Sequence, residues 1–266
     1  MVYIILTVLG LCLGSFLDAT VWRLHAGKDF VRGRSQCDHC GHQLAAIDLV
    51  PVLSWLSLRG RCRYCKAKIS WQHPLIELAT AGLFVASYIF WPQNLAGGQW
   101  IFFGCWLLSA IGLMALLVYD FRWMLLPNRI LYPTLAVAVF GRLIYIIYLA
   151  PDNVDIGQSL LPWVMSLAVA SGFFWLLFYV SRGRWIGFGD VRLGLVTGTL
   201  LGTPAKSLLM LFLASVLGTM FILPAMVRGK SKMSSRIPYG PFLITATAIV
   251  MLFGQSLITW YQNHFL

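Results

Sequence analysis

Long apolar segments fill most of this chain and leave little freedom in how it can fold. Of the 266 residues, 59% are hydrophobic and only 11% are charged, a balance far from that of ordinary soluble domains. Seven segments approach or exceed the length that crosses the hydrocarbon core of a bilayer, and an eighth is shorter and rich in glycine. They run from about 2 to 21, 74 to 91, 100 to 119, 126 to 149, 160 to 180, 191 to 201, 206 to 227 and 240 to 260. The sequence therefore predicts an all-α polytopic membrane protein with about eight transmembrane helices.

The basic residues are concentrated in alternate loops. The net charge is +11, and nine of the twenty Lys and Arg residues lie between Arg23 and Lys68. Further clusters occur at Arg122 and Arg129, at Arg182, Arg184 and Arg192, and from Arg228 to Arg236. By the positive-inside rule these loops face the cytoplasm, so we expect both termini on the outer side. The same clustering favours membrane lipid over nucleic acid as the partner of the positive charge.

Four of the six cysteines form two C-x-x-C pairs, Cys37 with Cys40 and Cys62 with Cys65. Two such pairs supply the four thiolates of a closed tetrahedral metal site, and the ligand type favours zinc over iron. A disulfide is a weaker interpretation, because the predicted topology places these cysteines in the reducing cytoplasm. His39 and His42 lie close by and could replace a cysteine, but four cysteines already complete the set. A closed site predicts a structural metal rather than a catalytic one.

Two aspartates adjoin the ends of apolar segments in a chain with only nine acidic residues. Asp120 follows the third apolar segment. Asp190 is the last residue of the sequence Gly-Phe-Gly-Asp that begins at Gly187 and precedes the sixth apolar segment. Carboxylates near membrane depth are costly and usually functional, and in the predicted topology these two lie on the same side. Each also has a structural alternative: Asp120 as an ion-pair partner of Arg122, and Asp190 as a helix N-cap.

The whole pattern resembles the bacterial prepilin peptidases, the GxGD-type membrane aspartic proteases that process type IV pilin and type II secretion pseudopilin precursors. The resembling stretches are 14–17, the cysteine cluster with 51–56 and 59–62 inside it, 74–77, the Asp120 segment, 187–191 and 237–242. They cover nearly the whole chain in order and spacing, whereas a lone GxGD would be weak evidence.

The resemblance implies that Asp120 and Asp190 are the catalytic pair, supported by Gly187 and Gly189 in the active-site loop. Two carboxyl groups held close share a proton and titrate as a unit. One then acts as general base on water while the other polarises the scissile carbonyl. The resemblance also implies that the loop around Pro238, Gly240 and Pro241 lies near the active site, although these residues most simply begin the last helix.

The implied substrate is a prepilin or pseudopilin precursor with a short basic leader, a glycine before the scissile bond and a hydrophobic helix. The implied location is the bacterial inner membrane, with the active site at the cytoplasmic face and both termini periplasmic. We expect three parts: residues 1–22 as the first transmembrane helix, 23–72 as a cytoplasmic four-cysteine metal-binding domain and 73–266 as the transmembrane aspartic protease domain.

A second activity is implied by the cysteine-bearing loop, since relatives that carry it also methylate the new amino terminus with S-adenosylmethionine. No glycine-rich strand-to-helix fingerprint for a nucleotide-like cofactor is visible. Glu77 and Asp48 are the candidate residues near the methyl donor, and for Glu77 a salt bridge to the basic loop is the alternative. A rival for the whole protein is a transporter or a metal-bearing membrane scaffold without peptidase activity. The placement of the aspartates argues against a transporter, since coupling carboxylates usually lie near the bilayer midplane.

Overall fold

The computed structural model describes residues 1–29, 35–37, 39–149, 156–227 and 238–265, and within these ranges the chain is helical. The α-helices are α1 (Val2–His25), α2 (Leu53–Ser57), α3 (Gln72–Ile89), α4 (Gln99–Trp123), α5 (Asn128–Ile144), α6 (Ile156–Ser181), α7 (Phe188–Leu201), α8 (Pro204–Val227) and α9 (Gly240–Phe265). A 3₁₀ helix, Ala46–Leu49, precedes α2, and a π-helical turn, Tyr145–Leu149, continues α5. The predicted all-α fold is confirmed.

Six of the described helices are long and apolar enough to cross a bilayer: α1, α4, α5 with its π turn, α6, α8 and α9. The other two predicted segments are helical but fall outside this set. One is α3, which begins with polar residues and carries Glu77, and the other is α7, which has only 14 residues. Of the predicted basic loops, the cluster from Arg228 to Arg236 lies outside the described residues.

The chain divides into two compact units, Met1–Ile89 and Phe90–Leu266. In the first unit α1 packs along α3, and Gly10 and Gly14 of α1 make this close approach possible. A Cβ on Gly10 would lie 2.6 Å from Cα of Ala81, and one on Gly14 would lie 2.8 Å from Cα of Glu77. Small residues four apart let transmembrane backbones meet closely. The division at residues 22 and 72 stays a prediction.

In the second unit, glycines again mark the tightest helix contacts. Gly194 and Gly198 of α7 pack on α6, where a Cβ on Gly194 would lie 2.8 Å from Cα of Ser171. Hydrogen bonds reinforce this contact, because the Ser171 hydroxyl donates to the Val191 carbonyl at 2.9 Å and the Ser166 hydroxyl to the Gly198 carbonyl at 2.8 Å. The short α7 is thus held along α6, and it also packs on α5 and α9.

Candidate active site

Asp120 lies in the last turn of α4, where the helix ends tightly. The amide of Met124, which adopts a left-handed conformation with φ 54°, donates to the Asp120 carbonyl at 2.8 Å. Asp120 is only 5% exposed, and the backbone amide of Gly240 at the start of α9 donates to its carboxylate. The ion pair with Arg122 considered from the sequence is not formed, so a backbone amide rather than a cation stabilises this carboxylate.

Asp190 is the third residue of α7 and not its N-cap. The N-cap is Gly187, and the Gly187 amide donates back to the Asp190 carboxylate. A carboxylate in the first turn is also favoured by the positive end of the helix dipole. The N-cap alternative for Asp190 is therefore wrong, although the residue does satisfy one of the free amides at the helix start.

The two carboxyl groups come from different helices and lie within electrostatic range of each other. Gly240 is packed directly against Asp120, because a Cβ there would lie 2.5 Å from Oδ2 of Asp120. Gly189 is also tightly placed, since its Cβ would lie 3.2 Å from Cδ1 of Leu126, whereas Gly187 has room for a side chain. The ends of α4, α7 and α9 therefore form one site.

Tyr239 was not singled out from the sequence, although it belongs to the 237–242 motif. Its charge interaction with Asp190 places it at the same site. Its hydroxyl lies 3.3 Å from that of Ser215, and its ring packs edge-on against Phe174. Burial raises the pKa of Tyr239, the hydrogen bond with Ser215 lowers it, and the charge of Asp190 raises it further, with a net increase. The phenol therefore keeps its proton at neutral pH and remains a donor.

The four predicted metal ligands converge in the first unit. The sulfurs of Cys37, Cys40, Cys62 and Cys65 all lie within 4.8 Å of one another, and those of Cys37 and Cys65 are 3.8 Å apart. A tetrahedral site with metal–sulfur bonds of about 2.3 Å has sulfur–sulfur edges of about 3.8 Å. These four cysteines could therefore hold a metal ion. His42 instead packs its ring against Tyr64, with centroids 3.7 Å apart.

Both cysteine pairs are held by the same kind of turn. The Cys37 carbonyl accepts from the Gly41 amide at 2.9 Å, and the Cys62 carbonyl accepts from the Lys66 amide at 3.1 Å. Gly41 and Lys66 both have positive φ, at 68° and 59°. Isolated bridges, Gln36 with Gln43 and Arg61 with Lys68, close the two turns. The sequence repeat of C-x-x-C is thus a structural repeat.

The thiols of Cys62 and Cys65 differ in pKa. The Cys65 amide donates to the Cys62 sulfur and lowers its pKa; burial opposes this, but a further hydrogen bond from Tyr64 helps to bring the pKa to about 7. The Ala67 amide lowers the pKa of Cys65, but burial and the neighbouring sulfurs raise it to about 11. The Cys62 thiol therefore ionises near neutral pH, and a metal bound by thiolates would release protons.

Glu77 and Asp48 line a single cavity of about 540 Å³ in the first unit. Glu77 is 7% exposed and accepts a hydrogen bond from the Val52 amide at 2.7 Å. Within the described residues its partner is therefore a backbone amide and not a cation of the basic loop, which was the alternative considered from the sequence. Asp48 pairs with Arg63 at 2.6 Å. Burial raises the pKa of Asp48, but the hydrogen bonds from Arg63 and the Ala45 amide outweigh it. Asp48 is therefore ionised at neutral pH.

Two further features, one in this cavity and one beside it, were not evident from the sequence. Asp18 of α1 is buried and hydrogen-bonds to Nδ1 of His73, and both line the cavity. Val52, the residue bonded to Glu77, has φ 59° and ψ −50°. This conformation is strained for a β-branched residue, and it closes a three-residue turn in which the Leu53 amide donates to the Pro51 carbonyl.

Comparisons with known proteins give two family matches. Residues 8–91 match the model of the bacterial peptidase A24 N-terminal domain, and residues 107–223 match that of the type IV leader peptidase family. A protein of Aeromonas hydrophila named prepilin leader peptidase/N-methyltransferase is 35% identical over 88% of this chain and 76% of its own length. The chain belongs to the type IV leader peptidase family.

Other relatives of this chain match over nearly their full length. Those of Stutzerimonas stutzeri and Bacillus subtilis (strain 168), with the same name, are each 31% identical, over 96% and 97% of this chain and 91% and 96% of their own lengths. No solved structure matches the chain. The family assignment from the sequence is confirmed, and with it the description of the chain as a multi-pass membrane enzyme.

Proposed function

We propose that this enzyme is a prepilin leader peptidase in which Asp120 and Asp190 are the catalytic pair. The observation that carries the proposal is that these carboxyl groups lie close enough for their charges to interact. They arise on α4 and α7, interact electrostatically, and each accepts a backbone amide hydrogen bond. Structural carboxylates in a membrane enzyme would more naturally be paired with cations, because two like charges at one site are unfavourable unless they share a proton.

The chemistry follows from that shared proton. The ionised aspartate takes a proton from water as the water attacks the scissile carbonyl carbon, and the protonated aspartate hydrogen-bonds to the carbonyl oxygen. Collapse of the tetrahedral intermediate breaks the carbon–nitrogen bond, and the nitrogen leaves with a proton returned by the pair. The Gly240 and Gly187 amides keep the two carboxylates in place through the cycle.

The substrate is a prepilin or pseudopilin precursor with a basic leader, a glycine before the cleaved bond and an apolar helix. We place the enzyme in the bacterial inner membrane, with this site at the cytoplasmic face. With α3 and α7 counted as crossings there are eight, so both termini are periplasmic. This order of crossings requires α5 and α7 to run in the same direction, and their contacts support it. Near the start of both helices Arg192 donates to Asn128 at 2.6 Å, and near the end of both Arg142 donates to the Gly202 carbonyl at 2.9 Å.

The basic leader requires a source of attraction, because the cytoplasmic loops of the enzyme are themselves basic. Long-range electrostatics between the two would be repulsive. Anionic lipid at the membrane surface supplies the opposite charge for both. Membrane lipid is therefore a partner of the reaction in this proposal, and nucleic acid is not.

The four-cysteine cluster is proposed to hold a structural zinc ion. All four ligands are thiolates, and no open coordination position would remain for a reacting water. Its role is to hold the turns at Cys37 and Cys62 together, in a segment with little apolar core of its own. Chelation or loss of one ligand should therefore unfold this segment without direct damage to the peptidase chemistry.

The cavity that contains Glu77 and Asp48 is proposed as the site of amino-terminal methylation with S-adenosylmethionine. Its volume of about 540 Å³ lies within the range of small-molecule sites. Its carboxylates suit a donor whose sulfonium carries a positive charge and would supply the methyl group. Glu77 is fixed by the Val52 amide, and Asp48 by Arg63, so both carboxyl groups are held in place before the donor binds.

One experiment tests both activities. Detergent-solubilised enzyme is incubated with a prepilin carrying glycine before the cleavage site, with and without S-adenosylmethionine, and the products are weighed by mass spectrometry. We expect loss of the leader in both samples and a gain of one methyl group only with the donor. Glu77→Gln should lower methyl gain by about tenfold or more while leader loss continues. Intact prepilin with folded enzyme would contradict the peptidase, and cleavage without methyl gain would contradict the second activity alone.

A further inference from the structure

A second cavity, of about 240 Å³, lies within the second unit at the end remote from the aspartates. It is bordered by the carboxyl ends of α5 and α7 and the amino ends of α6 and α8. From Asp190 to Leu201 helix α7 rises about 16 Å, so this cavity is separate from the catalytic site. Its polar wall includes Arg142, Lys206, Gln93 and Gln158.

Arg142 is the central residue of this cavity. It is only 9% exposed, yet within the described residues no carboxylate pairs with it. Its Nη2 donates to the Gly202 carbonyl at 2.9 Å, and its guanidinium lies 5.0 Å from the ring centre of Tyr145. Its Nε is buried without a partner. A buried guanidinium with an unused donor is costly unless something accepts from it.

Lys206 adds a second positive charge to the same cavity. It lies in the first turn of α8, is half-buried and is close enough to Arg142 for the two charges to repel. Among the described lining residues there is no acid. Two cations directed into a small hollow without a counterion destabilise the fold, whereas an anion between them would remove both the repulsion and the unpaired donor.

The backbone around the cavity is fitted to the arginine. Gly202 ends α7 with φ 65°, and a Cβ on it would lie 2.2 Å from Cζ of Arg142. Gly202 therefore both permits the left-handed turn and leaves space for the guanidinium. The amino end of α8, which starts at Pro204, adds the partial positive charge of its helix dipole.

We propose that this cavity binds a phosphate-bearing anion. Arginine presents a planar fork of donors that matches phosphate oxygens, and lysine adds a point charge. The volume equals the liquid volume of roughly eight water molecules, which is room for a phosphate group and part of what it is attached to. The phosphate comes either from an anionic lipid headgroup or from free phosphate in solution, and both would satisfy the same donors.

The test uses purified full-length enzyme in neutral detergent as wild type, Arg142→Gln, Arg142→Lys, Lys206→Gln and Arg129→Gln. Arg129→Gln is the matched control, because Arg129 is exposed at the opposite end of α5. One arm measures binding of phosphatidylglycerol against a glucosyl diacylglycerol of the same chains by native mass spectrometry. The other measures the thermal midpoint in sodium phosphate against sodium chloride at equal ionic strength.

We expect wild type and Arg129→Gln to prefer the phosphate-bearing probe, and Lys206→Gln and Arg142→Gln each to weaken that preference about tenfold. Arg142→Lys keeps the positive charge, so its preference for the phosphate-bearing probe should fall less than that of Arg142→Gln. Preference in the lipid arm alone identifies a headgroup, and stabilisation by inorganic phosphate identifies a free anion. If wild type shows no preference in either arm, or if Arg129→Gln weakens it as much as Lys206→Gln, the proposal is wrong. Lys206 is half-buried, so its variant keeps the test decisive even if Arg142→Gln fails to fold.

Discussion

At the scale of single residues, Gly240 is the least replaceable position of the proposed active site. Its amide donates to the Asp120 carboxylate, and its missing side chain leaves space for Oδ2 of the same residue. Any side chain here must push either Asp120 or the start of α9 away. Because catalytic groups must be placed to within a fraction of an ångström, the effect on catalysis should exceed the effect on folding.

Gly240→Ala is therefore expected to lower the rate of leader cleavage by about tenfold to a hundredfold, while the thermal midpoint changes little. The rate is measured with a purified prepilin at saturating concentration. Gly104→Ala is the matched control, since a Cβ at Gly104 of α4 would meet nothing within 4 Å. Equal rates for wild type and Gly240→Ala would refute the contact with Asp120.

At the scale of secondary structure elements, close helix packing depends on particular glycines. A Cβ on Gly112 of α4 would lie 2.0 Å from Oγ1 of Thr134 on α5. Gly112→Ala should therefore separate the helices and destabilise the protein by about 1–3 kcal/mol, measured as a lower thermal midpoint in detergent. Gly172→Ala on α6, where a Cβ meets nothing within 4 Å, should leave the midpoint unchanged. An unchanged midpoint in Gly112→Ala would show that the α4–α5 interface can relax.

The two cysteine turns form another element whose stability can be tested alone. Cys62→Ser should abolish stoichiometric zinc and make residues 35–71 sensitive to protease, because three ligands no longer close the site. Metal content by mass spectrometry and limited proteolysis measure the two effects. Cys12→Ser, in α1 and away from the cluster, should retain one zinc per chain. Full zinc content in Cys62→Ser would contradict the four-cysteine site.

At the scale of the whole molecule, the sequence predicted the architecture better than its contacts. Apolar length predicted eight segments, and all eight are helical. Two of these helices do not meet the length and composition of a membrane span, because α3 is too polar and α7 is too short. The cysteine spacing correctly predicted one four-sulfur cluster, because both turns are local. Which amide reaches Asp120, and that Asp18 meets His73, could not be predicted, since these contacts join residues 120 and 55 positions apart.

The central claim is that one pair of carboxyl groups performs the cleavage. The most direct measurement is the rate of leader removal from a purified prepilin by Asp120→Asn and Asp190→Asn, with Asp29→Asn, an exposed residue of the first unit, as the matched control. The account predicts that each of the first two variants loses at least about a hundredfold in rate while remaining folded and retaining zinc, and that Asp29→Asn cleaves like wild type. Cleavage at the wild-type rate by either Asp120→Asn or Asp190→Asn would contradict it.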